Sequence, residues 1–156
     1  MGDYNRSTRE ISLAGIAPEA KEALDKHLEL YELGSILDDA LICVEANYDK
    51  IKKGLFAGPG PKSLVVTVVL TPRWLLQVIK EDSEKAFARS AQLRDITVTD
   101  YEKSPFYSRI QDTGVEVSGG FTGAAENSSS FIGLGKDPAG EKFKAMIIEA
   151  VQEAKK

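Results

Sequence analysis

Residues 63–80 read SLVVTVVLTPRWLLQVIK, and this stretch decides the fold of the chain. Two runs rich in β-branched and aromatic residues, 64–70 and 74–79, are separated by the tripeptide TPR at 71–73. Such runs are typical of two antiparallel strands joined by a tight turn. Pro72 marks the turn because its ring fixes φ and its nitrogen has no hydrogen to donate to a strand ladder. The stretch therefore predicts a β-hairpin around which the rest of the chain is organised.

Both faces of this hairpin are apolar. Successive side chains of a strand point to opposite faces, and Thr67 and Gln77 are the only polar residues within the two runs. A strand that is wetted on one side should alternate with polar residues, so we expect something to cover each face. One face packs on the core of the protein. For the outer face, an amphipathic helix at 18–33 is one candidate cover, and an interface between copies of the chain is the other.

Two amphipathic helices flank the predicted strands. Pro18 suits the first position of a helix and Gly34 its end, and apolar residues recur between them at helical spacing. Asp137 and Pro138 are a typical cap and first residue of a second helix. From Phe143 onward, apolar residues stand at i, i+3, i+4, i+7, i+8 and i+11. The β-rich region is therefore bracketed by helices.

Closely spaced short strands fill most of the remaining chain. The candidates are 42–48, 87–92, 96–101, 107–110, 115–121 and 131–134. We predict an α+β, mainly β fold with about seven antiparallel strands in a bent sheet or small barrel, plugged by the last helix. Residues 1–16 lack periodicity and are predicted to be a loosely ordered arm. An N-terminal helix packed on the barrel at 17–36 and a β-rich domain at 37–156 complete the predicted organisation.

The bulk composition excludes several classes of protein. A chain of 156 residues suits one domain, and 42% hydrophobic with 28% charged residues is typical of globular proteins. The net charge of −4 argues against a nucleic-acid binder, which needs a basic field. One cysteine excludes an internal disulfide, and no run resembles a secretory signal or a transmembrane segment. We expect a cytoplasmic protein.

Several short motifs resemble those of the bacterial pleckstrin-homology-like (PH-like) domains. They are Gly54-Leu55 before the paired strands, Thr71-x-Arg73 between them and Leu93-Arg94-Asp95-Ile96 at a later corner, followed by the terminal helix. Pro72 and Trp74 depart from the family's Thr-Asp-Arg-Arg-Leu type of turn. The resemblance spans 37–154 and implies a PH-like bent barrel of seven antiparallel strands capped by a C-terminal helix. It also implies a role in binding or assembly rather than catalysis.

No motif in the chain specifies a reaction. His27 and Cys43 are the only histidine and cysteine, too few for a structural zinc site, and each is more simply explained as a packed residue. The glycine-lysine segment at 133–136 lacks the spacing of a phosphate-binding loop, and the following Asp137 would repel an anion. We therefore predict a protein that is not an enzyme and that holds no metal or cofactor.

The loop at 50–62 is the best candidate for ligand binding. The candidate ligand-binding residues are Lys50, Lys52, Lys53 and Lys62, and the candidate membrane or partner contacts are Leu55 and Phe56. A lysine near an anionic surface contributes about 1 kcal/mol, so this set predicts weak attachment. A solvated loop whose two apolar residues pack on the body of the protein is the simpler alternative.

These observations predict a non-catalytic binding module. The two-sided apolar hairpin, the additional helix and the lack of a catalytic set favour protein–protein interaction or self-assembly. The alternative is binding of anionic lipid or a small phosphorylated ligand through the loop at 50–62.

Overall fold

The computed structural model describes residues 4–51, 60–122 and 129–156. Within these ranges the strands are β1 (Tyr4–Glu10), β2 (Ile42–Lys50), β3 (Ser63–Leu70), β4 (Trp74–Glu81), β5 (Phe87–Gln92), β6 (Ile96–Asp100), β7 (Gly114–Gly119) and β8 (Ser129–Gly133). The α-helices are α1 (Pro18–Leu30) and α2 (Pro138–Ala154). No helix in the described ranges has the length and apolar character needed to cross a membrane.

The strands form two antiparallel sheets. The larger sheet has the order β1-β2-β3-β4-β5, and the smaller has the order β6-β7-β8. The predicted α+β, mainly β class is confirmed. The predicted bent barrel of seven strands is not confirmed, because the described residues contain eight strands and no ladder connects the two sheets.

Strand β1, which the sequence did not predict, corrects the prediction of a loosely ordered arm at 1–16. Tyr4–Glu10 pair along their whole length with β2, at the edge of the larger sheet. Apart from Thr8, the strand contains no buried residue, so no apolar period marks it in the sequence. Polar contacts to distant parts of the chain hold it instead, chiefly an ion pair between Arg6 and Asp112.

The central hairpin forms as predicted from 63–80. β3 and β4 pair in register from Leu64 opposite Glu81 to Leu70 opposite Leu75. At the turn, the hydroxyl of Thr71 accepts hydrogen bonds from Arg73 N at 3.2 Å and from Trp74 N at 2.9 Å. Threonine therefore closes the bend that the proline begins.

The inner face of the larger sheet packs against the smaller sheet and α2. This core includes Val66, Val68, Leu75, Val115, Val117, Ile132, Phe143 and Ile147. Helix α2 begins as predicted, since a carboxylate oxygen of Asp137 accepts a hydrogen bond from Gly140 N at 3.0 Å and Pro138 occupies the first turn. The helix packs against strands of both sheets.

The outer face of the larger sheet is covered by α1. Leu24 of the helix is fully buried and shares an apolar cluster with sheet residues Cys43, Val69, Leu76 and Val78. Each such side chain contributes about 1.5–3 kcal/mol when it leaves water. The outer face of the hairpin is therefore covered by the chain's own helix α1, as one of the two alternatives predicted.

Helix α1 ends three residues before the end of the predicted 18–33 segment. Glu32 adopts φ +54°, a left-handed conformation. The amide of Glu32 donates to the carbonyl of Glu29, and that of Leu33 donates to the carbonyl of Leu28. These two bonds form the Schellman motif, which satisfies the last carbonyls of a helix.

Candidate ligand-binding groove

The predicted basic loop is only partly within the described residues. Lys52, Lys53, Leu55 and Phe56 lie outside them. Lys50, at the end of β2, is only 3% exposed, and its ammonium group lies 3.4 Å from the carbonyl oxygen of Gly60. The burial of Lys50 leaves it little surface for contact with a ligand.

Lys62 is exposed and lies beside a carboxylate. Its backbone N–H donates to Asp82 Oδ2 at 3.0 Å, and Ser63 N donates to Asp82 Oδ1 at 2.8 Å. These backbone hydrogen bonds, first that from Lys62, hold the pKa of Asp82 below its usual value. The negative charge of Asp82 therefore offsets part of the positive charge that the sequence places here.

The single histidine and cysteine are both packed in the interior. His27 is 6% exposed, its Nε2 lies 2.8 Å from the hydroxyl of Ser90, and burial lowers its pKa. Burial, with a smaller effect of the charge on Glu45, raises the pKa of Cys43 to about 12. The thiol is therefore protonated and is not a nucleophile. Among the residues that the structure describes, no three His, Cys, Asp or Glu side chains converge to hold a metal.

The segment at 133–136 does not form a phosphate-binding loop. Gly135 N donates to the hydroxyl of Thr8 at 2.9 Å. The carboxylate of Asp137 accepts from Gly140 N on one oxygen and from Thr8 N, at 2.8 Å, on the other. These contacts tie β1 to the start of α2 and occupy the amides that an anion would use.

A surface groove of about 380 Å³ lies beside the outer edge of β1. Its walls are residues 4–6 of β1, the segment 111–113 that leads into β7, and the Gly135-Lys136 dipeptide before α2, with Tyr107 at one side. We call this feature the edge groove. Sequence reasoning missed it because its walls come from three segments that are far apart in the chain.

An ion pair forms a rigid part of the edge groove. Arg6 Nε lies 2.7 Å from Asp112 Oδ1, and a terminal nitrogen of Arg6 lies 2.8 Å from Oδ2. The two side chains are only 10% and 14% exposed. The guanidinium carbon lies 4.4 Å from the ring centroid of Tyr48 and 5.2 Å from that of Phe131. Because each charge is already paired, this pair shapes the groove and leaves little charge for a ligand.

The main chain of Arg6 points away from β2. Ile11 N donates to Cys43 O at the end of this ladder, so alternate residues of β1 direct their backbone groups toward β2 and the others direct them outward. Thr8 is in the outward set, as its bond to Asp137 shows. Arg6 belongs to the same set, and the described residues provide no partner for its N–H. The N–H of Arg6 can therefore donate one hydrogen bond to a further segment that lies along this edge.

The rim of the edge groove carries a lysine and a short apolar turn. Lys136 is exposed and forms no ion pair with any described residue. Residues 107–110, predicted as a strand, instead form turns in which Arg109 N and Ile110 N both donate to Phe106 O at 3.0 Å. This arrangement leaves Phe106 59% and Ile110 62% exposed. The turn therefore offers apolar surface next to the wall residues Tyr107 and Gln111.

Comparisons of this chain with known protein families, with curated proteins and with solved structures give no match in any of the three.

Proposed function

We propose that this protein is a non-catalytic binding module whose edge groove takes an extended segment of a partner protein. The observation that carries the proposal is the outward N–H of Arg6 on an edge strand, in a groove that also contains Lys136, which forms no ion pair within the described ranges. Strand addition at a sheet edge obtains affinity from such backbone groups and specificity from the pockets beside them.

The order of the elements supports the resemblance to PH-like domains. Strands β2 to β5 form a four-stranded meander, β6 to β8 form a three-stranded meander, and α2 follows. A PH-like barrel has this order of seven strands and a helix, and β1 and α1 are then additions to it. We therefore propose that β1 extends a PH-like domain and supplies its binding edge.

The chemistry of the groove defines the partner segment. The partner segment presents a backbone carbonyl to Arg6 N–H, a carboxylate to Lys136 and an apolar side chain to Phe106 or Ile110. A solvent-exposed ion pair contributes about 0–1 kcal/mol, whereas a fully buried apolar side chain contributes about 1.5–3 kcal/mol. The apolar contact therefore determines most of the affinity, and a contact confined to one groove of about 380 Å³ favours a transient complex.

Selection of peptides against the full chain tests this proposal. A random peptide library is displayed on phage, and the selected peptides are labelled for fluorescence polarisation. We expect sequences with an acidic residue near apolar residues. The double variant F106A/I110A should bind them at least about tenfold more weakly, since two apolar contacts are lost. K136E should reduce affinity further, whereas K85E, at an exposed lysine in the β4–β5 turn, should not.

The outcomes of this experiment separate the candidate functions. Selected peptides whose affinity is unchanged by F106A/I110A and by K136E would refute the edge groove as the binding site. Sedimentation velocity on the purified chain tests self-assembly, because a dimer that F106A/I110A dissociates would identify the partner as a second copy.

Binding of anionic lipid or a phosphorylated ligand through Lys50, Lys52, Lys53 and Lys62 is the second candidate. The burial of Lys50 and the carboxylate beside Lys62 make it the weaker one. Sedimentation with anionic vesicles at low and high salt tests it, and binding lost when all four lysines become alanine would support it.

A further inference from the structure

Arg89 is a cation between the two sheets that has no carboxylate partner among the described residues. It lies on β5, opposite Gln77 of β4, on the face that lines the inner core. Its Nε donates to Gln77 Oε1 at 2.6 Å, and a terminal nitrogen, Nη2, donates to the hydroxyl of Ser130 on β8. The guanidinium carbon lies 4.4 Å from the ring centroid of Phe121. Arg89 thus connects the larger sheet to the smaller one through neutral groups.

Arg89 itself is partly buried, and a charge that is withdrawn from water is normally paired. The amide of Gln77 and the ring of Phe121 are almost completely buried. This desolvation lowers the pKa of Arg89, and no neighbouring charge adds to the effect. The surroundings therefore impose a cost on the charge that a nearby anion would relieve.

Part of the guanidinium remains available to a ligand. The group has five N–H donors, and its two hydrogen bonds use Nε and one hydrogen of Nη2. In the described part of the chain, no buried side-chain nitrogen lacks a hydrogen-bond partner. Nη1 of Arg89 makes no bond there, so Nη1 is not fully buried. Nη1 and the second hydrogen of Nη2 are the donors that remain for the oxygen atoms of an anion.

We infer that Arg89, where it bridges β5 and β8, anchors an oxyanion-binding site for a carboxylate or a phosphate group. Gln77 and Ser130 hold the guanidinium so that little side-chain entropy is lost when an anion binds. Phe121 supports it from one face. Arg89 is not among the residues that line the edge groove, so the two sites are distinct.

Side-chain NMR of the wild-type chain tests the site directly. The Nε–H signals of the arginines are followed while sodium phosphate, or in a second arm sodium acetate, replaces chloride at constant ionic strength. We expect the Arg89 signal to shift saturably with at least one anion, and the stronger arm identifies the chemistry. The signal of Arg94, an exposed arginine of the turn between β5 and β6, should shift little.

Substitutions provide the matched control. R89Q should weaken anion binding at least about tenfold, the factor expected when charged hydrogen bonds are lost, and R94Q should leave it within about twofold. R89K, which keeps the charge and loses the fork, should also bind more weakly. If neither anion shifts the Arg89 signal, or if R94Q reduces binding as much as R89Q, the site is refuted. Because the wild-type titration stands alone, a variant that fails to fold leaves this result intact. R89Q should not affect peptide binding in the edge groove, so the two proposals can fail independently.

Discussion

Mild acidification should loosen the packing of α1 on the larger sheet through one residue. His27 is the only histidine in the chain, is almost completely buried, and lies 2.8 Å from the hydroxyl of Ser90. Burial lowers its pKa from the ordinary value of 6.5. The folded state therefore keeps a neutral imidazole at a pH where the unfolded chain already binds a proton.

The sign of the pH dependence follows from this difference in proton binding. The contribution of His27 to the free energy of unfolding is fully present above about pH 6.5. It is lost as the pH falls from that value toward the lower pKa of the folded state. Since one proton is involved, the slope cannot exceed about 1.4 kcal/mol per pH unit.

Urea unfolding between about pH 7.5 and 5.5 measures this slope, because His27 has the only side chain with an ordinary pKa in that range. Trp74 is the only tryptophan and packs against the same apolar cluster as α1, so its fluorescence reports the transition. H27Q serves as the control and should lose most of the pH dependence, whatever its absolute stability. Equal slopes for the wild type and H27Q would refute the reasoning, as would a wild-type chain that gains stability on acidification.

Three other substitutions or reactions test the packing. L24A should lower the free energy of unfolding by about 2–5 kcal/mol because it leaves a cavity at a fully buried position. Its control, L30A, changes a side chain that is 74% exposed and should alter this free energy by less than about 0.5 kcal/mol. Urea unfolding compares the two variants, and equal effects would contradict the position of α1. D112A removes the carboxylate of the buried ion pair and should cost roughly 3 kcal/mol, while K26A, in an exposed pair of α1, should have little effect. The Cys43 thiol, with a pKa raised to about 12 by burial, should react with a disulfide reagent far more slowly in the native chain than in urea; equal rates would show that the thiol is accessible.

Local patterns identified most of the strands and both helices. The hairpin at 63–80 is visible because β-branched runs and a proline turn are local signals, and the cap of α2 is visible because Asp137 and Pro138 are adjacent. β1 escaped the same reasoning because its residues are polar and its anchors are remote. Arg6 and Asp112, for example, are 106 positions apart.

The candidate sites depended on tertiary structure to a greater extent. The lysines at 50–62 were predicted to bind a ligand because they cluster in the sequence, but the structure buries Lys50 and places a carboxylate beside Lys62. The sequence does contain a signal that Arg89 faces the core, because a two-residue period places it on the same face of β5 as the buried Ala91. That period cannot show that its partners are neutral, since Ser130 is 41 positions away.

The sequence by itself determined that this chain contains a mainly β body with an apolar hairpin at its centre and two amphipathic helices, because periodicity and turn residues act over a few positions. Only the tertiary structure decided that α1 covers the outer face, that Tyr4–Glu10 complete the sheet, that the edge groove exists and that Arg89 lies against Gln77 and Ser130. These features depend on which side chains meet across long separations in the chain, and a local pattern does not carry that information.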